Sequence, residues 1–222
     1  MPSSGNLKLP FQNIIFDLDG TLVDSLAGIE ASMTHALRDC LPTGAPEDLR
    51  SRIGPPIPEM FSRLFPHFDA DRIKRLVAAF REHYDREGYR GSHLYPTVRQ
   101  TLAELRDREA IMFVLTNKPI LATRAILEHT GIVSYFTAIT SASPEFANKS
   151  EAAESLRRQH DLDPARTIVV GDGVDDRKAA QRCGFDFILA GYGYGNAAAG
   201  DGHNARAVLK SFDEILILLD KI

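Results

Sequence analysis

Cysteine is scarce in this chain: two residues, Cys40 and Cys183, among 222. Two thiols in helical patterns make no disulfide framework and read as buried thiols in a reducing compartment. Long apolar runs are missing too. The longest aliphatic stretch, Ile215 to Leu219, is far too short to cross a bilayer. Met1 to Leu9 is polar and has no signal-type apolar segment, so the cytoplasm is the expected location. Nor is there an excess of positive charge. Lys and Arg total 26 against 30 Asp and Glu, a net charge of −4. The pI is near 6.0, whereas a nucleic-acid-binding surface is normally basic. An anionic substrate would need local positive charge, from a metal or a buried lysine. The 7 histidines lack metal-ligand spacing. No G-x-x-x-x-G-K-[ST] occurs, which argues against a P-loop NTPase. Tyr192-Gly193-Tyr194-Gly195 lacks the G-x-G-x-x-G spacing of a dinucleotide loop.

What is present suits a soluble globular protein. Hydrophobic residues make up 44% and charged residues 25%, enough for one large domain or two small ones. Residues 1–11 read as a loose lead-in. Ile14-Ile15-Phe16 reads as a buried parallel strand that ends in Asp17-Leu18-Asp19-Gly20-Thr21. Ser25 is placed to cap a helix bearing Leu26, Ile29, Met33, Leu37 and Cys40, which Pro42 to Pro46 break. Further helical patterns follow, separated by Gly54-Pro55-Pro56, the longest carrying Ile73, Leu76, Val77, Phe80 and Tyr84. No convincing strand is visible from Asp24 to about Tyr95. After Pro96 strands and helices alternate, with strands expected at Ile111–Leu115, Phe136–Thr140, Thr167–Val170, Phe187–Leu189 and Ala207–Leu209. That alternation implies a doubly wound parallel sheet, an α/β core of residues 1–23 and 96–222, with residues 24–95 as a small all-helical domain.

In such a sheet the carboxyl ends of the strands face one crevice. Asp17, Thr116, Lys149 and Asp172 all fall at or just beyond a strand end or at a helix start. Two acids held one residue apart repel each other, and Mg²⁺ is the cation that a carboxylate pair plus a phosphate would hold.

Asp17-Leu18-Asp19-Gly20-Thr21-Leu22-Val23-Asp24-Ser25 resembles the first motif of the haloacid dehalogenase-type superfamily, in its phosphatase branch. Thr116-Asn117-Lys118, Lys149 and Gly171-Asp172-Gly173-Val174-Asp175-Asp176 match the later motifs in order. The resemblance runs from about residue 12 to residue 221, closest to phosphoglycolate-phosphatase-like members. It implies that Asp17 attacks phosphorus and that Asp19 manages the proton and offers its carbonyl to magnesium. Phosphate contacts are implied at Asp17, Leu18, Asp19, Thr116, Asn117 and Lys149, and metal ligation at Asp17, Asp19, Asp172 and Asp176. Asp176 would act through water or hold Lys149. The family's dehalogenases lack an acid at the position of Asp19, which favours phosphoryl transfer.

Two departures stand out. Relatives often carry Pro-x-Pro after the third-motif lysine, where this chain has Ser150-Glu151-Ala152, and Gly173 stands where Thr or Ser is common. Lys118 is expected in solvent, with a weak claim to the role of Lys149. Asp175 is expected to do no more than complement the helix dipole.

The insert is read as a lid, hinged near Asp24 and Pro96. Ile53-Gly54-Pro55-Pro56-Ile57 resembles the substrate-facing cap loop of the same members, which makes Gly54, Pro55 and Arg52 candidate substrate contacts. With 10 Lys/Arg against 11 Asp/Glu over residues 24–95, the insert offers no basic face for a polyanion. The expected activity is magnesium-dependent hydrolysis of a small phosphomonoester by a monomer or homodimer, without nucleic-acid or membrane partners. Alternatives are a phosphomutase or pyrophosphatase using Asp17, or a non-catalytic binding module.

Overall fold

The computed structural model describes residues 10–38, 55–142, 146, 148–195 and 205–221. Cys40, Arg52, Ile53 and Gly54 lie outside the described residues. So do the lead-in before residue 10 and the proline-rich break at residues 42–46.

The chain starts with strand β1 (Asn13–Phe16), then β2 (Val23–Asp24) and helix α1 (Leu26–Leu37). Helices α2 (Ile57–Leu64) and α3 (Ala70–Arg86) complete the described part of the insert, and β3 (His93–Leu94) leaves it. Alternation then begins: α4 (Val98–Asp107), β4 (Ile111–Pro119), α5 (Ile120–His129), β5 (Ala138–Ala142), α6 (Lys149–Gln159) and β6 (Thr167–Gly171). The chain ends with α7 (Val174–Cys183), β7 (Asp186–Ala190), β8 (Ala207–Leu209) and α8 (Glu214–Lys221). Six strands form one sheet in the order β5-β4-β1-β6-β7-β8, each pair parallel.

The doubly wound α/β core is as expected, and strand periodicity explains it. Ile14, Phe16, Met112, Val114, Ile168 and Val170 enter one apolar cluster, shared with α4, α5 and the insert helices. Ile15, Phe113, Leu115 and Val169 enter the other, under α6 and α7. Alternate residues feed opposite layers because successive side chains point to opposite faces. With both faces covered, the strand sequences are apolar throughout.

The insert departs from its expected all-helical make-up. β2 and β3 pair antiparallel, Val23 with Leu94 and Asp24 with His93, so a short ribbon closes its base. Two-residue strands are too short to register as a period of two. Ser25 precedes α1 without a side-chain cap, because its hydroxyl is engaged with Asp19. Asp69 does cap α3, accepting from the Arg72 N–H. β5 starts at Ala138, after a 3₁₀ turn at Val133–Tyr135 has used up the residues just before it. Among the described residues, no helix is long and apolar enough to cross a membrane.

Candidate active site

β1 is central in the sheet, flanked by β4 and β6, so Asp17 leaves it beside the end of β6 at Gly171, while β4 runs on past it to Pro119. The Asp17 N–H still bonds the Val170 carbonyl at 2.9 Å, continuing the ladder one residue. The chain then turns back at once: the Leu18 carbonyl accepts from the N–H groups of Thr21, Leu22 and Val23. Leu18 sends its side chain into the core, so only its backbone is available to a ligand. Gly20 has φ +80°, and a Cβ there would lie 2.1 Å from Asp172 Oδ2. The turn therefore needs glycine for both its dihedral and its close approach.

Lys149 opens α6 behind the cap residue Asn148. Its ammonium lies 2.7 Å from Asp17 Oδ1 and 2.5 Å from Asp176 Oδ1, and all three side chains are buried. The substitution of Ser150-Glu151-Ala152 for Pro-x-Pro leaves this placement intact: Glu151 donates its N–H to the Asn148 side chain and the helix starts regularly. Asp176 accepts from the Gly173 N–H with its other oxygen at 2.9 Å, so it ties the start of α7 to Lys149. Asp172 follows β6, and its Oδ2 accepts two backbone N–H groups, Tyr194 at 2.7 Å and Gly195 at 2.9 Å.

Carboxylate oxygens of Asp17, Asp172 and Asp176 can all lie within 4.8 Å of one another. Burial, then the nearby Asp176, pushes the Asp17 carboxyl up to about 7. Burial, then Asp17, raises Asp172 to about 6. Burial also drives Asp176 upward. Burial alone would lower the Lys149 ammonium, but Asp17 and Asp176 outweigh it and hold it above its ordinary value. Fully ionised, the four carboxylates (Asp17, Asp19, Asp172, Asp176) would exceed the two ammonium groups (Lys118, Lys149) by two negative charges, the repulsion that keeps protons on the buried acids while no cation is bound. All-oxygen donors with that residual charge fit a hard divalent cation.

The second half of the site differs from expectation in two places. Lys118 is not in solvent. It is largely shielded, 3.1 Å from Asp19 Oδ2, because β4 runs on to Pro119 and carries it over the crevice. Asp19 and Tyr84 together raise its ammonium despite burial. Asp175 does more than face the helix dipole, since it accepts from the Asn117 side chain at 3.1 Å. The Thr116 hydroxyl accepts from the Lys118 N–H at 3.2 Å, two residues on, before α5 begins at Ile120. Pro55 lies just ahead of α2 and is half-buried, while its proposed companions Arg52 and Gly54 fall outside the described residues.

The glycine-rich segment after β7 is more involved than its spacing suggested. Besides the two N–H groups on Asp172, the Tyr194 hydroxyl donates to Asp24 Oδ1 at 2.5 Å. It accepts from the N–H groups of Ser25 and Leu26 at 2.7 and 3.2 Å. A Cβ on Gly193 would sit 2.3 Å from the Gly20 carbonyl and 2.4 Å from Asp172 Cβ, so the loop lies flat on the first motif.

Residues 14–190 match the family model of haloacid dehalogenase-like hydrolases. The chain belongs to that family. Among relatives of this haloacid dehalogenase-like chain is the phosphoglycolate phosphatase of Vibrio parahaemolyticus. It is 32% identical over 213 residues, covering 91% of this chain and 93% of that protein. The tyrosine-protein kinase PtkA of Mycobacterium tuberculosis is 35% identical over 193 residues, covering 84% of this chain. The chain spans 64% of the length of PtkA. In three dimensions, a haloacid dehalogenase-like hydrolase from Streptococcus pneumoniae superposes with a TM-score of 0.86. It is 26% identical and covers 94% of this chain and 98% of its own.

Proposed function

We propose that this haloacid dehalogenase-like chain is a magnesium-dependent phosphatase that hydrolyses a small phosphomonoester through an aspartyl-phosphate on Asp17. The observation that carries the reading is the split environment of the first motif. Asp17 is clamped by Lys149 within an acidic cluster, while Asp19, two residues on, is held apart by Lys118 and Ser25. A phosphatase needs that division, one carboxylate to attack and one to handle protons.

With Oδ1 of Asp17 held by Lys149, Oδ2 attacks phosphorus; the Asp17 O–P bond forms as the ester P–O bond breaks. Asp19 gives its proton to the departing alkoxide. It then takes a proton from water, which attacks the acyl phosphate, releases inorganic phosphate and restores the Asp17 carboxylate. Thr116, with the backbone at Leu18 and Asn117, would hold phosphoryl oxygens, and Lys149 would offset their charge. Asp17, Asp172, Asp176 and the Asp19 carbonyl are the residues to hold Mg²⁺, directly or through water. Bound there, the cation would neutralise phosphoryl oxygens and ease their repulsion from Asp17.

The leading substrate is phosphoglycolate, supported by the name of the Vibrio relative. The setting would be the cytoplasm, where Cys183 stays a buried thiol, with residues 24–95 acting as a cap. A second reading, phosphoryl transfer to an acceptor other than water, is favoured by the PtkA relative. Inorganic phosphate released from phosphoglycolate and p-nitrophenyl phosphate, with Mg²⁺ and with EDTA, tests the proposal. Asp17→Asn should lower turnover by about four decades or more while the thermal midpoint is retained. Full activity in that variant, or transfer without phosphate release, would overturn it.

A further inference from the structure

The proposed reaction asks Asp19 to release and recover a proton at a fixed point, and its carboxyl is fixed from two sides. Ser25 donates to Oδ1 at 2.5 Å. Lys118 faces Oδ2 at 3.1 Å, with side-chain exposures of 10% for Lys118 and 16% for Asp19. Lys118 is itself held from the far side. Its ammonium donates to the Tyr84 hydroxyl at 3.1 Å and stands 4.4 Å from the centre of that ring. Lys118 belongs to the core strand β4, whereas Tyr84 belongs to α3 of the insert. The line Tyr84–Lys118–Asp19 therefore crosses from the insert to the proton-handling acid of the core.

Tyr84 is well placed to act as an anchor. Its ring stacks on Phe80 at 5.4 Å, and Phe80 meets Phe61 of α2 edge-on at 6.1 Å. All three rings are buried. Lys118, by contrast, is a flexible side chain with about 2 kcal/mol of rotamer entropy to lose on being fixed. One carboxylate does not hold a lysine in one place, but a carboxylate on one side and a tyrosine on the other do. Withdrawing α3 would remove the second restraint and let the ammonium swing to water, taking with it one of the two donors that orient Asp19.

We propose that Lys118 and Tyr84 form a positioning pair that orients the Asp19 carboxyl only while the insert is seated on the crevice, so that proton delivery depends on the insert. Neither residue touches the reacting atoms in this scheme. The inference rests on the phosphatase reading above, and leaving-group chemistry separates the two. A p-nitrophenolate departs without a proton, whereas a phenolate or an alkoxide needs one. The kinetic quantity to follow is kcat/KM, because it covers steps up to formation of the aspartyl-phosphate and excludes its hydrolysis.

The test measures kcat/KM for p-nitrophenyl phosphate, phenyl phosphate and phosphoglycolate in the Mg²⁺-loaded wild type, Lys118→Met and Tyr84→Phe. Lys118→Met should lose about 10²-fold on phenyl phosphate and phosphoglycolate, the scale of general-acid catalysis, and less than about tenfold on p-nitrophenyl phosphate. Tyr84→Phe keeps the ring and drops the hydroxyl. It should show the same selectivity at smaller size, and it decides the matter if Lys118→Met does not fold. Equal losses on all three esters would make the contact merely structural and overturn the proposal. A loss confined to phosphoglycolate would do the same, by showing that Lys118 meets the substrate carboxylate. A wild type inactive on all three esters would remove the phosphatase reading, and this inference with it.

Discussion

Asp17 and Asp19 are separated by a single leucine, yet their surroundings have almost nothing in common. Asp17 is enclosed by the core alone: Lys149 from α6, Asp176 from α7 and the end of β6. Asp19 is held by groups around the base of the insert: Ser25 just before α1, and Lys118, which reaches on to Tyr84 of α3. One acid is held entirely within the layer of sheet and helices that forms the core. The other is fixed by contacts that span two parts of the molecule. The same residue type two positions on can take a different chemical role because the chain leaves β1 at Phe16 and turns at Gly20. In a strand, residues two apart would have shared one face.

Cutting each side should therefore produce a different kind of damage. The larger effect belongs to the Asp17 side. Lys149→Ala removes the ammonium between Asp17 and Asp176 and leaves buried acids unpaired. Activity should fall about 10²–10³-fold on every ester alike, and stability by about 3–5 kcal/mol in denaturant titrations. Selectivity for poor leaving groups in this variant would blur the distinction between the two acids.

A smaller effect concerns protons and the cation. Burial raises Asp17 from 3.8 to about 7, and Asp172 from the same value to about 6. Between those limits the folded protein holds more protons than the unfolded chain, so metal-free stability falls as pH rises through that window. Mg²⁺ competes for the same oxygens, so it should raise the thermal midpoint clearly at about pH 8 and little at about pH 5. An equal rise at both would mean that the cation binds elsewhere.

The sheet and the acid cluster were legible in the sequence because they depend on short-range signals. Ile14-Ile15-Phe16, Ile111 to Leu115 and Thr167 to Val170 are apolar runs closed by polar residues, and parallel topology brings such ends together. Lys149 was legible through its unfavourable place at a helix start. Lys118 was not, because solvent is the ordinary place for a lysine. The available signal was its spacing, two residues beyond Thr116 on a strand that had not yet ended. Tyr84 was legible as a core position on an amphipathic face. What its periodicity could not tell is where the hydroxyl goes, although a buried tyrosine usually has a polar partner. The Gly193-Tyr194-Gly195 segment lacks a nucleotide-loop spacing. Its glycines serve a different close approach, to Asp172 rather than to a ligand.

That segment supplies the smallest of the expected effects, because Tyr194 works on both sides of the contrast through different atoms. Its N–H holds Asp172 in the core, while its hydroxyl ties Asp24, Ser25 and Leu26 at the entrance to the insert. Burial and the bond to Asp24 keep that phenol protonated well above its ordinary range, so it remains a donor at any working pH. Tyr194→Phe deletes only the second function. It should cost about 1–3 kcal/mol of stability from groups left without their partner, with Mg²⁺ affinity by calorimetry changed no more than about twofold, well under 1 kcal/mol. Gly193→Ala should show the reverse, since its new methyl falls on Asp172 and Gly20: weaker Mg²⁺ binding, with the ties at the insert entrance kept. If both substitutions weaken the cation site equally, the loop transmits strain as one rigid piece, and the two sides of the site are not independent.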